Sequence, residues 1–344
     1  MLFWAGCKCL YVFETDYGEL EGKQLKTIAI VTSGGDAPGM NAAVRAVTRI
    51  ASSKSVQVIG FERGWEGVMK NDFIQLTPRS VSGIIQLGGT MLRTSRSLEF
   101  RTREGVRKGA DTLASNGVDG LVVIGGNGSF GGALDLSRET DTLIVGVPAS
   151  IDNDVFGTDE TIGFDTALNT AVDQIDKIRD TAISLDRVFI VEVMGRTRGF
   201  LALMVGLTVG AEIILVPEVK CDVGKIVEMI RENCAKGKKS GIIVAAEGIG
   251  DTRQIGQDIE KESGTEVRLS VLGYAQRGGS PTGRSRLLAD LFADKAVELL
   301  LKGEGKRIVG LQDGRIATID LEKSCKTEKP LDVELLKLAS VLAT

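Results

Sequence analysis

The stretch Thr27-Ile28-Ala29-Ile30-Val31-Thr32-Ser33-Gly34-Gly35-Asp36-Ala37-Pro38-Gly39-Met40-Asn41 sets the frame for a chain of 344 residues. Its β-branched opening predicts a strand, Thr27–Thr32. The glycines and proline predict a tight loop, and the spacing from Met40 predicts an amphipathic helix, Met40–Ala51. Strand, glycine-rich loop and helix in that order make the first half of a parallel βαβ unit. Glycines just after a strand free backbone N–H groups, and the helix dipole adds a positive end, so a phosphate is a natural guest.

The same alternation continues outward. Strands are predicted at Val56–Phe61, Gly120–Ile124, Leu143–Val147, Val188–Val193, Ile213–Val216, Gly241–Ala246 and Arg268–Leu272. Helices are predicted at Ser129–Arg138, Phe164–Ser184, Phe200–Leu207, Asp222–Lys236 and Arg284–Leu301. Strands alternating with helices predict an α/β fold, and a chain of this length is expected to hold two domains. The apolar run Gly199–Pro217 contains Glu212 and several glycines, which predicts a buried helix and a strand in place of a membrane span.

Composition narrows the function. The 42 Lys+Arg against 46 Asp+Glu give a net charge of -4, which excludes a general nucleic-acid or membrane-surface binder. An anionic ligand must therefore meet a local arginine cluster. The chain has 0 histidines, so Ser-His-Asp triads, His-based metal sites and phosphohistidine chemistry are excluded. Acid–base work falls to carboxylates, lysine or tyrosine. Five scattered cysteines match no zinc or redox spacing and fit a reduced, cytoplasmic setting. Met1–Lys26 is unlike the rest and is expected to be a poorly ordered extension.

The chain has 43 glycines, which include tight clusters at Gly34-Gly35, Gly88-Gly89, Gly125-Gly126-Asn127-Gly128 and Gly278-Gly279 that read as specific loops. Gly125-Gly126-Asn127-Gly128-Ser129 follows a strand and opens a helix, a second phosphate loop. Gly126-x-Gly128-x-x-Gly131 also satisfies the dinucleotide fingerprint, but the next strand end, Pro148-Ala149-Ser150, lacks the acidic residue that would hold a ribose. Asp152 and Asp154 follow, two apart, so on extended chain they face one side and can meet one metal or one hydroxyl. Taken alone, the pair reads more readily as an Asx-turn that caps the coming helix. Arg96, Arg187, Arg196, Arg268 and Arg277 border glycine-rich or strand-end positions, as phosphate-binding guanidinium groups do.

Together these segments resemble the bacterial-type ATP-dependent 6-phosphofructokinases from about Thr27 to the C-terminus. The most specific pieces are Thr32–Asn41, Ile151-Asp152-Asn153-Asp154 with Gly157-Thr158-Asp159, Val191–Arg196, and Gln276-Arg277-Gly278-Gly279-Ser280-Pro281. The resemblance implies two Rossmann-like three-layer αβα domains with the active site in the cleft between them. Residues 27–163 plus 281–330 would form the larger ATP-binding domain, and 164–280 plus 331–344 the smaller fructose 6-phosphate-binding domain. It implies transfer of the γ-phosphoryl group of ATP, with Mg²⁺, to the 1-hydroxyl of fructose 6-phosphate, the committed step of glycolysis.

By that resemblance Asp152 is the general base, aided by Arg196 and Ser150. Gly35, Arg96, Gly126, Asn127, Gly128 and Ser129 hold ATP. Ser150, Asp152, Asp154, Met194, Gly195, Arg196, Glu247, Tyr274 and Arg277 surround the sugar phosphate, with Arg187 and Arg268 reaching in from a neighbour in a homotetramer. The family pattern breaks at Asn127, where aspartate is usual and is thought to place Mg²⁺; an amide is a weaker ligand for a hard cation. Tyr274 replaces a frequent histidine. Gly128 and Ala149 stand where pyrophosphate-using relatives carry an acid and a lysine, which favours ATP. A pyrophosphate-dependent enzyme and a catalytically silent regulatory subunit remain the alternatives.

Overall fold

A computed structural model describes residues 25–343. All but the last two residues of the expected N-terminal extension lie outside the described residues. The elements in chain order are β1 (Thr27–Ser33), α1 (Met40–Ser53), β2 (Gln57–Phe61), α2 (Trp65–Lys70), β3 (Phe73–Leu76), α3 (Arg103–Ser115), β4 (Gly120–Gly125), α4 (Asn127–Leu136) and β5 (Leu143–Pro148). Then come α5 (Phe164–Leu185), β6 (Val188–Val193), α6 (Phe200–Thr208), β7 (Ile213–Leu215), α7 (Val223–Ala235), β8 (Gly241–Ala246), α8 (Thr252–Ser263) and β9 (Val267–Val271). The chain closes with α9 (Gly283–Leu301), β10 (Arg307–Gln312), β11 (Arg315–Asp320), α10 (Leu321–Lys326) and α11 (Glu334–Leu342).

The strands form two sheets. The larger runs β11-β10-β5-β4-β1-β2-β3, and the smaller runs β7-β8-β6-β9. The central strands β1, β4 and β5 pair in parallel and are buried almost throughout, because helices cover both faces. One core packs α1 and α9 on one face of the larger sheet and runs on through α5 and α6 to the smaller sheet. A second core fills the opposite face of the larger sheet, and there Trp65 stacks on Phe100 with ring centroids 4.5 Å apart. A third lies under α7 and α8. Each sheet is thus the middle of an αβα sandwich, as expected.

Every predicted strand and helix is present within a few residues. Five helices (α2, α3, α8, α10, α11) and three strands (β3, β10, β11) were not expected. Two antiparallel pairs at opposite edges of the larger sheet, β2–β3 and β10–β11, account for the extra strands. The strand order reverses between β1 and β4: from β1 the chain moves outward to β2 and then returns to β4 on the other side. That switch point opens a crevice beyond the carboxyl ends of both strands. Among the described residues no helix is long and apolar enough to cross a membrane.

Candidate active site

The crevice is walled by three loops. Gly34–Asp36 follows β1, Gly126–Ser129 bridges β4 and α4, and Ala149–Asp154 follows β5; Arg196 and Arg277 close it from the side of the smaller sheet. Ten of the expected residues therefore meet: Gly35, Gly126, Asn127, Gly128 and Ser129, then Ser150, Asp152, Asp154, Arg196 and Arg277.

Helix α4 begins with no side-chain cap, so its first N–H groups face the crevice with the positive end of the helix dipole. The Ser129 hydroxyl is buried and has no hydrogen-bond partner among the described residues, a vacant donor for an anion's oxygen. A Cβ added at Gly128 would meet nothing within 4 Å, so the crevice is open there. The loop after β1 behaves differently from expectation. Its second half, Ala37–Gly39, is buried, and a Cβ at Gly39 would fall 2.6 Å from the Ile162 side chain, so the N-terminus of α1 is packed shut. Only Gly34–Asp36 is left to meet a phosphate. Gly35 has a steric role: a Cβ there would lie 3.0 Å from Nη1 of Arg277, which packs against the loop backbone.

Asp152 stands at the bottom of the crevice, 6% exposed. Its Oδ2 lies 3.4 Å from Arg196 Nε, while Oδ1 is buried without a hydrogen-bond partner among the described residues. Burial and the nearby Asp154 push its pKa up to about 6, with Arg196 and Arg277 pulling the other way. An oxygen desolvated yet left unpaired is poised to take a proton. Its loop is held by Ser150 Oγ, which accepts the Asp152 N–H at 3.1 Å, and by Asn153, which takes positive φ and accepts the Thr161 N–H at 3.0 Å.

Asn127 spends its amide Nδ2 on the main-chain oxygen of Asp154, 3.1 Å away, tying the second glycine loop to the acidic loop. Its Oδ1 remains as one hard but neutral oxygen. No cluster of three or more acidic, cysteine or histidine ligands occurs among the described residues.

The remaining expected residues stand outside the crevice wall. Glu247 accepts the Arg196 N–H at 2.5 Å and so braces that loop. Met194 is buried in the core beside Gly195. Tyr274 is 79% exposed, with the Arg277 guanidinium 5.4 Å from its ring centre. Arg96 is exposed, two residues beyond Thr94, whose hydroxyl donates to the Gly34 carbonyl at 2.8 Å. Arg187 and Arg268 both pair with Glu266 at the β9 edge of the smaller sheet. Asp36 was not singled out from sequence, yet it lines the crevice 3.8 Å from Arg277.

With this geometry in view, comparison with known proteins gives one answer. The profile of the phosphofructokinase family matches residues 27–300. The chain belongs to the phosphofructokinase family. The ATP-dependent 6-phosphofructokinase of Clostridium tetani is 49% identical over 319 residues, which span 93% of this chain and 100% of that protein. The enzyme of the same name from Clostridium botulinum strain Hall is 47% identical over the same spans. Among solved structures, phosphofructokinase from Saccharomyces cerevisiae superposes with a TM-score of 0.83 at 35% identity. That match covers 92% of this chain and 48% of the yeast chain, so the bacterial-length relatives describe the whole of this family member better.

Proposed function

We propose that the chain is an ATP-dependent 6-phosphofructokinase that transfers the γ-phosphoryl group of ATP to the 1-hydroxyl of fructose 6-phosphate. The observation that carries the reading is the free, buried oxygen of Asp152 in the same crevice as the uncapped start of α4. ATP lies along Gly34–Asp36 and Gly126–Ser129, its phosphates facing the α4 N–H groups and the Ser129 hydroxyl. The sugar hydroxyl meets Asp152. Its proton passes to the carboxylate as its oxygen bonds the γ-phosphorus, and the bond to the β–γ bridging oxygen breaks to release ADP. Arg196 and Arg277 offset the charge spread over the transferring group.

Phosphoryl transfer asks for alignment, charge neutralisation and one base, all of which a chain without histidine can supply. A divalent metal ion enters with the nucleotide, and Mg²⁺ is the one that suits polyphosphate oxygens. Asn127 Oδ1 would be the side-chain oxygen to help hold it, and the ion would offset charge on the phosphate oxygens. Arg96 serves the nucleotide, while Met194, Gly195, Glu247 and Tyr274 shape the sugar-phosphate side.

The division into a larger ATP-binding part, 27–163 plus 281–330, and a smaller sugar-phosphate part, 164–280 plus 331–344, is supported by the two sheets and by the packing of α11 on α6 and β7. A homotetramer in which Arg187 and Arg268 serve a neighbour's site accounts for their position at a sheet edge, remote from their own crevice. The cytoplasm, where ATP and phosphorylated sugars are held, is the matching location. A coupled assay with fructose 6-phosphate, Mg²⁺ and either donor tests the reading. ATP is expected to support turnover and pyrophosphate is not; pyrophosphate-only turnover would reverse the assignment.

A further inference from the structure

Lys329 lies in the segment between α10 and α11, on a stretch whose sequence carries no phosphate-binding signature. The Pro330 that follows favours extended chain at this position. The side chain is half-buried, and its Nζ donates to the main-chain oxygens of Asn153 at 2.9 Å and Asp159 at 3.1 Å. Asn153 sits between Asp152 and Asp154, and its Nδ2 shares the same Asp159 oxygen at 3.0 Å.

The other end of the contact reaches the arginine loop. Arg198, two residues after Arg196, donates through Nη2 to the Lys329 main-chain oxygen and pairs with Glu328 and Glu218 at 3.2 Å each. Both cations flank one ring, Lys329 Nζ at 5.0 Å and Arg198 Cζ at 5.5 Å from the centre of Phe200. A turn in which the Arg198 N–H bonds the Gly195 oxygen at 2.9 Å passes this restraint on to Arg196.

We propose that Lys329 is a positioning residue for phosphoryl transfer: by bonding the Asn153 and Asp159 carbonyls while its own backbone holds Arg198, it fixes the loop of Asp152 relative to the loop of Arg196. The inference rests on Asp152 as the base. Asn153 holds a left-handed φ of 51°, a region that asparagine enters more readily than most non-glycine residues, and the ammonium bond to its carbonyl helps to hold it there. The acidic surroundings (Asp154, Asp159 and Glu160) favour the charged ammonium, while burial lowers its pKa to about 8, so it remains mostly protonated at neutral pH.

The test uses the full chain and Lys329→Met, which keeps an unbranched apolar side chain of similar length and removes the donors. Amide hydrogen exchange followed by mass spectrometry is read first because it needs no turnover. Peptides covering 150–161 are expected to exchange about tenfold faster than in the parent while β5 and α5 are unchanged. Unchanged exchange in a folded variant overturns the proposal. In the kinetic arm, kcat is expected to fall about 10–100-fold with both KM values within about threefold, the signature of a misplaced base and not of lost binding. Lys329→Arg, whose guanidinium can span two carbonyls, is expected to recover most of that loss.

In an Asp152→Asn background the Lys329→Met change is expected to add less than about a twofold further loss, because it acts through the group already removed. A multiplicative loss, or activity falling only in step with the folded fraction, overturns the positioning role. If Lys329→Met does not fold, Lys329→Gln is read by the same criteria. A parent inactive toward fructose 6-phosphate would sink the activity assignment, and the exchange result would still judge the tether.

Discussion

Asp152 carries opposite demands from stability and chemistry. Its pKa is about 6 in the folded chain against an ordinary 3.8, so the native state holds the proton more tightly. Stability from this group is therefore highest below about pH 4, declines between pH 4 and 6, and is lowest once the carboxylate is charged. Asp152→Asn should raise unfolding free energy at pH 8 by up to about 3 kcal/mol and lower turnover about 10²–10⁴-fold, checked by urea unfolding and the coupled assay. In the parent, kcat/KM should fall as pH drops through about 6, and a profile flat down to pH 5 would count against Asp152 as base. Gly128→Asp tests donor choice. Since a Cβ there meets nothing, the variant should unfold within about 0.5 kcal/mol of the parent, yet show an ATP KM raised at least about tenfold by repulsion of the phosphates. At this scale much was legible, because glycine after a strand, paired aspartates and clustered arginines each point to phosphate chemistry. Lys329 was not, since a lone lysine gives no local sign of which carbonyls it will meet. The closed end of α1 depends on Ile162, more than a hundred residues away in sequence, and was equally hidden.

At the level of elements, the β4–α4 junction sets a tight steric condition. A Cβ at Gly125 would lie 2.6 Å from the Ser33 carbonyl and 2.5 Å from the Ser129 hydroxyl, where two strands and a helix converge. Gly125→Ala should therefore cost about 1–3 kcal/mol of stability, as over-packed positions do. Gly131, inside α4 and facing open space, should respond in the other direction, with Gly131→Ala adding about 0.4–1 kcal/mol in the same unfolding series. The periodic, β-branched strands of the two sheets were readable from their pattern, but the edge hairpin β10–β11 was passed over. Its Asp313-Gly314 turn, with positive φ at both residues and Gln312 paired to Arg315, is a two-residue hairpin signal that the sequence did contain. Helices α3 and α8 are mostly polar and bury only a narrow face, so apolar spacing alone did not mark them.

For the whole molecule, the arginines at the β9 edge make the shared site testable. Arg268→Ala and Asp152→Asn proteins, each impaired alone, should regain activity when dissociated, mixed and reassembled, because some crevices would then combine an intact Asp152 with a neighbour's intact Arg268. No recovery on mixing would place each site within one chain. The stacked pair Trp65 and Phe100 has a practical consequence of its own. The chain has two tryptophans, Trp4 and Trp65, so a Trp4→Phe protein would emit from a single indole, seated behind the seven-stranded sheet. Its fluorescence would follow the melting of that half alone, whereas far-ultraviolet ellipticity follows both halves. Because one apolar core threads both sheets, the two urea curves should share a midpoint; separate midpoints would mean that either half can come apart while the other still stands.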